Sequence, residues 1–252
     1  MQHKKIVFLA SNCQSSRWVY NSLIKDFTIE AAIIETPVSK KKLIKRRIKK
    51  IGFVQVIGQI IFSVLVVPIL KIKAKRRISF LVNEYQLTDT NFITGKTHYV
   101  DAVNDEACHL LLQQLQPDII IVNGTRIISK KILQCCKAVF INMHVGITPA
   151  YRGSHGGYWA VYNNDLENFG TTIHLVDEGV DTGNVLKQAF TQPAAADNFA
   201  TYPILQIAIG IPALKAVLLQ VFKAEQEVKS QTKKGKMYYQ PTAWAYFLNK
   251  AK

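Results

Sequence analysis

The chain has 252 residues, 48% of them apolar, and a formal net charge of +15. That length buries a full core and sets a prior of one large domain, or one and a half. The charge invites a nucleic-acid reading, but every one of the basic residues between Ser39 and Arg77 lies in a stretch with no acid, and the rest of the chain is close to neutral. A general nucleic-acid surface is therefore not expected. The 4 cysteines, Cys13, Cys108, Cys135 and Cys136, match no zinc spacing. Adjacent Cys135 and Cys136 make a poor disulfide pair, so a reducing cytoplasm is expected.

The opening MQHKKIVFLASN has too short an apolar run for a signal peptide and reads as a first strand over Lys5 to Ala10. Ser15 or Ser16 is expected to cap a helix running to about Lys25. This strand–helix opening is that of dinucleotide-binding folds, but their glycine fingerprint is absent, so no nicotinamide cofactor is expected. Ile29 to Glu35 reads as a second strand.

Lys40 to Lys50 places Leu43, Ile44, Ile48 and Ile51 on one helical face amid lysines and arginines. Ile51 to Leu70 follows without a charge, which meets the length of a membrane span. A crossing would put the flanking strands on opposite sides of a bilayer, and Pro68 is expected to break the run. Gln55, Gln59 and Ser63 also form a thin polar line. Two readings of residues 40–77 stay open. One is a helical insertion packed on the body or on a second subunit, with a solvated basic rim. The other is an interfacial element with its apolar helix among headgroups and its lysines on anionic lipid.

Ile78 to Phe92 gives no clear pattern. Thr97 to Val103 reads as a strand, and Asn104-Asp105 can cap a helix to Gln114. Ile119 to Asn123 is an all-apolar strand ending at Gly124, and Ser129 can cap a short helix to Gln134. Val139 to Met143 is another buried strand. Asn142 and His144, two apart at its end, project to one face. They point into the crevice where open α/β sheets bind ligands. A glycine-rich loop then carries Tyr151, Arg152 and His155, followed by a helix over Tyr158 to Asn163. Gly170 to Val176 reads as a strand, and Asp177 to Gly183 as a polar turn. Val185 to Phe190 is a further strand. Thr201 to Lys223 is helical, with Pro212 expected to kink or divide it. Lys229 to Lys236 is a polar loop, and Tyr238 to Tyr246 an aromatic tail expected to pack on the body or flank a substrate.

Asn142-x-His144, a loop with Tyr151-Arg152-Gly153, Gly170-x-Thr172-x-His174 and Asp181-Thr182-Gly183, in that order, resemble the core of the folate-dependent formyltransferases. That family includes methionyl-tRNA, phosphoribosylglycinamide and nucleotide-sugar N-formyltransferases. The resemblance covers roughly residues 97 to 190. It implies a Rossmann-like, open, mainly parallel α/β sheet as a catalytic domain over 1–190, with the basic, apolar insertion at about 39–78. Residues 191–252 are then a C-terminal helix and tail on the same domain.

The implied reaction moves a formyl group from 10-formyltetrahydrofolate to an amine, without a metal. The implied catalytic residues are Asn142, His144 and Asp181. Their types suit the chemistry: an amide N–H for a developing oxyanion, an imidazole for the amine proton, and a carboxylate to fix and stabilise the imidazole. The resemblance implies that backbone groups of Arg126, Ile127 and Ile128 line the pterin pocket, faced by Val176, Asp177, Glu178, Gly179 and Val180. Tyr151, Arg152 and His155 are candidates for touching substrate. His174 is mid-strand and stands evenly between structure and function.

Methionyl-tRNA members carry a further C-terminal barrel of on the order of a hundred residues, for which this chain is expected to be too short. The expected acceptor is therefore an amino sugar on a nucleotide carrier, in surface polysaccharide synthesis. The protein would be cytoplasmic, or peripheral on the inner face of the cytoplasmic membrane through 40–77, with a homodimer as a further option. The alternatives are a methionyl-tRNA or other formyltransferase, a formyltetrahydrofolate hydrolase, and a non-catalytic membrane-associated adaptor.

Overall fold

The structure, a computed structural model, describes residues 4–231 and 235–250. Residues 232–234 of the expected polar loop, residues 251–252 of the tail and the first three residues of the opening run lie outside the described residues.

Strand β1 (Ile6–Ser11) leads into helix α1 (Gln14–Leu23) and strand β2 (Ile29–Glu35). The helix starts at Cys13 with no side-chain cap, so Ser15 and Ser16 lie inside its first turn rather than capping it. Four helices follow: α2 (Lys40–Ile51), α3 (Phe53–Ile61), α4 (Val67–Lys73) and α5 (Lys75–Glu84). Between α3 and α4 the chain makes a π turn over Phe62–Val66, so the helical run is continuous from Phe53 to Lys73. Pro68 does not break it. The Val67 N–H reaches back to the Phe62 carbonyl, and this wider turn takes up the donor and the space that proline removes.

Strand β3 (Thr97–Val100), helix α6 (Glu106–Leu115), strand β4 (Ile119–Asn123) and helix α7 (Lys130–Leu133) come next. Asp105 and Ser129 occupy the N-cap positions of α6 and α7 without a side-chain cap bond. Instead the Asn104 amide joins these two starts, donating to the Ile127 carbonyl at 2.9 Å and accepting from the Ser129 N–H at 2.8 Å. Strand β5 (Val139–His144), the two-residue β6 (Arg152–Gly153), helix α8 (Gly156–Tyr162), strands β7 (Gly170–Leu175) and β8 (Val185–Phe190), and helix α9 (Tyr202–Lys223) complete the body. Helix α9 runs through Pro212 undivided. Strand β9 (Met237–Tyr238) and helix α10 (Ala243–Lys250) form the tail.

Seven strands make one sheet in the order β3-β2-β1-β4-β5-β7-β8, while β6 pairs with β9. The first five run parallel, and β7 and β8 add antiparallel to that edge. The apolar strands alternate between two cores. Ile6, Phe8 and Ala10 pack in the cluster that includes Trp18 of α1 and Leu214 of α9. Val7 and Leu9 face the other, with Leu112 of α6 and Ile132 of α7. Both faces of the sheet are thus covered, which is why its central strands read as unbroken apolar runs. The chain reverses direction across the sheet between β1 and β4, and such a switch point opens a crevice at the strand ends.

Candidate active site

That crevice holds a cavity of ≈ 470 Å³. Its floor is the ends of β4 and β5, from Asn123, Gly124, Asn142 and His144. Gly124 has φ +68, and a Cβ there would meet the Ser11 hydroxyl at 3.0 Å, so a side chain would be both strained and crowded.

The β5–β7 register sets Asn142 opposite His174. His174 Nδ1–H donates to the Leu175 carbonyl at 2.7 Å, which fixes the tautomer and leaves Nε2 to accept from the Asn142 amide at 3.0 Å. One N–H of Asn142 is spent on this anchor, and the amide borders the cavity with its second. His144 Nε2–H donates to the Tyr151 carbonyl at 2.8 Å, and its Nδ1 lies 3.4 Å from Asp181 Oδ2. The other carboxylate oxygen stands 3.6 Å from His174 Nε2. Asp181 also accepts the Gly153 N–H at 2.9 Å and sits at φ +51, a left-handed conformation that Asp tolerates. The structure brings Asn142, His144 and Asp181 to one rim, and it adds His174, which accepts from Asn142 and stands beside Asp181.

Electrostatics separate the pair. Burial pushes His144 below its ordinary value, against the pull of Asp181 and the Tyr151 carbonyl. Burial alone would raise the Asp181 carboxyl, but His144, His174 and the Gly153 N–H overcome it and hold the group at about 2. The resting state is therefore a neutral imidazole beside an anion.

The two expected walls also meet here. Arg126, Ile127 and Ile128 line one side of the cavity, and Val176, Asp177, Gly179 and Val180 the other. Ile127 is 58% exposed and forms open wall, whereas Ile128 at 3% belongs mainly to the core. The Arg126 guanidinium turns away, donating to the carbonyls of Asp101 and Thr36 at 2.8 and 2.7 Å. Its backbone N–H donates to Glu35 Oε1 at 2.7 Å, and this buried carboxylate, 3.2 Å from the guanidinium, clamps the loop. Nothing in the local sequence marked Glu35, because its partner lies ninety-one positions away. Glu178 stands outside the cavity, 3.9 Å from Lys130.

Tyr151, Arg152 and His155 stand behind the rim rather than along the cavity. The Tyr151 hydroxyl donates to Asp165 at 2.8 Å, and Arg152 Nε donates to the Val180 carbonyl at 2.9 Å. His155 packs at a tilt of 39° against Phe199 with centroids 4.6 Å apart, and burial, then the charge of Arg47, lowers it to about 4.

The family model described as formyl transferase matches residues 67–202. The chain is 32% identical over 133 residues to a methionyl-tRNA formyltransferase of Chlorobium luteolum, covering 52% of this chain and 42% of that protein. It is 41% identical over 85 residues to one of Finegoldia magna, covering 33% and 27%. The chain thus matches less than half the length of these curated relatives. Among solved structures, a sugar N-formyltransferase from a Shewanella species superposes with TM-score 0.57 at 15% identity, over 93% of this chain and 76% of that one. A phosphoribosylglycinamide formyltransferase from Streptococcus pneumoniae superposes with TM-score 0.55 at 20% identity, over 87% and 99%.

Proposed function

Because the chain belongs to the formyl transferase family, we propose that it transfers a formyl group from 10-formyltetrahydrofolate to an amine, with Asn142, His144 and Asp181 as its catalytic residues. One observation carries this reading: the three side chains, with His174, meet within 3.0 to 3.6 Å at the rim of a single cavity. The cavity volume lies in the range of small-molecule sites. Ile127 and Val180 both line it, and in this proposal the donor's pterin ring lies between them. The bound donor supplies an activated one-carbon unit.

The chain's own groups do the rest. Asn142 offers an amide N–H where negative charge grows on oxygen, and His174 holds that amide still. His144 Nδ1 takes the proton released by the attacking amine and holds it for the donor nitrogen, which leaves as its bond to the formyl carbon breaks. The imidazolium so formed keeps Nε2–H on the Tyr151 carbonyl and is stabilised by Asp181.

The acceptor in this proposal is an amino sugar on a nucleotide carrier, used in surface polysaccharide synthesis in the cytoplasm. Hydroxyl-bearing Ser15 and Ser154 border the cavity. The sugar N-formyltransferase likeness supports this acceptor at the level of the fold. The methionyl-tRNA relatives supply the competing one.

The test is incubation of purified protein with 10-formyltetrahydrofolate and a panel of nucleotide-linked amino sugars, with methionyl-tRNA as a separate arm. Formylated product is read by mass spectrometry. Product with a sugar is expected, and His144→Ala should lower its rate about a hundred- to ten-thousand-fold. Product only with the tRNA overturns the acceptor. Donor turnover without any acceptor replaces transfer by hydrolysis, and no turnover in any arm overturns the reading.

A further inference from the structure

The continuous helix from Phe53 to Lys73 is apolar apart from the line of Gln55, Gln59 and Ser63 and its terminal lysines, yet only 33% of its most apolar window is buried. The buried stripe is Val56, Gln59, Phe62, Val66 and Leu70, spaced three or four apart along the whole length. It lies on the body throughout. Phe62 packs on Phe199 and Tyr246, and the Leu70 carbonyl accepts from Asn198 at 3.4 Å. At its far end Arg77 grips Asp197 through two bonds of 2.9 and 3.0 Å. A helix held flat on a protein along its length does not cross a bilayer.

Its outer face should then be polar, as on an ordinary surface helix. It is instead Ile57, Ile61, Val64, Leu65, Ile69 and Ile72, with Val64, Leu65 and Ile72 exposed at 63%, 58% and 74%. Helix α10, whose Trp244 ring lies against Gly58, brings exposed Phe247 and Leu248 alongside. A continuous apolar surface of this kind marks an interaction site.

The charges beside it select the partner. Helix α2 leads directly into this run through Gly52, has no buried residue and carries lysine or arginine at most positions. None of these basic side chains forms an ion pair among the described residues. Lys71, Lys73, Lys75 and Arg76 add positive charge at the other end, and residues 39–77 contain no acid. A second copy of this chain would bring the same uncompensated charge to the same face. An anionic bilayer surface instead offers negative headgroups around an apolar interior.

We propose that residues 40–77 form a docking face for an anionic membrane, with the Phe53–Lys73 helix lying in the interfacial plane and α2 spread on the headgroups. The buried side of the helix is tied to the loop behind the cavity rim, since Phe199 touches both Phe62 of the helix and His155 of that loop.

The test is co-sedimentation of the purified protein with extruded vesicles of phosphatidylcholine alone or with a quarter phosphatidylglycerol, beside light scattering for oligomeric state. Neither readout needs the catalytic reading to hold. Binding to the anionic vesicles is expected, weakened by high salt. A Lys45→Glu/Arg46→Glu/Lys49→Glu variant should bind at least about a hundredfold more weakly. A Val64→Asn/Leu65→Asn/Ile69→Asn variant alters only exposed side chains and should lose the salt-resistant part of binding while melting as the wild type does. Equal binding to neutral vesicles, wild-type binding by both variants, or no vesicle binding overturns the proposal. A dimer that the triple-Asn variant dissociates, in protein that ignores vesicles, assigns the face to self-association instead.

Discussion

In the proposed reaction His144 and Asp181 divide one proton's work between them, and the division sets a pH signature. The imidazole is held below its ordinary value by burial, so it stays neutral, and able to accept a proton, in mildly acidic solution. Activity should therefore fall on acidification only below the usual histidine range. Asp181→Asn removes the anion 3.4 Å away that favours the charged ring. It should lower the rate about a hundred- to ten-thousand-fold and shift the acid limb of the profile to still lower pH. An unmoved limb would show that the two groups are not coupled. His155 gives a stability signature instead. Its folded value near 4 lies below the ordinary 6.5, so the unfolded chain binds the proton first as pH falls. Stability is then full above about 6.5 and drains away between 6.5 and 4. His155 sits at φ 61, so His155→Asn suits its left-handed backbone and should flatten that loss, on the order of 3 kcal/mol, in denaturant melts across the window.

At the scale of elements, Gly58 shows a close approach that propensity alone would misjudge. Alanine in a helix interior gains up to about 1 kcal/mol over glycine. Here a Cβ would run into the Trp244 ring, so Gly58→Ala should dislodge α10, shift the indole emission to the red and expose the chain after Thr242 to proteases. An unchanged emission would mean that α10 is held elsewhere. The same scale shows what the sequence could reveal. Strands β1, β2, β4 and β5 were legible because burial on both faces writes itself as an apolar run. The Asn142–His144 pair was legible because strand geometry alone aims both one way. The partnership of Asn142 with His174 was not, since it depends on the antiparallel register of β5 with β7. Glu35, a buried acid at the end of an apolar strand, gained its meaning only when β2 and the loop after β4 came together. Pro68 and Pro212 were read as breaks from local chemistry, but a π turn absorbs one, and α9 continues through the other with its apolar residues in the core.

For the whole molecule, the question is whether the insertion is a separate attachment or part of one cooperative unit. Phe62, Val66 and Leu70 build a third core with Tyr158, Phe199 and Tyr246. That core shares Trp159 and Tyr202 with the main one, and Trp159 donates its indole N–H to the Tyr239 carbonyl at 2.8 Å. The tail strand β9 is in turn paired with β6, where Gly153 presents its N–H to Asp181. Gly153 itself has φ +92, and a Cβ there would crowd Met237 and the Tyr238 backbone. A contact chain thus runs from the insertion through α8 and the tail to the Asp181 carboxylate. Phe62 is fully buried at 0%, and Phe62→Ala should cost about 3–5 kcal/mol. In a chain of this size that lowers the melting temperature by about 10 °C. If the unit is cooperative, circular dichroism and aromatic absorbance will report one transition, shifted as a whole, and catalysis will be lost along that same curve. A body that melts at its old temperature after an early, separate loss of helix would instead make the insertion an independent module, and the route from Phe62 to Asp181 would carry no coupling.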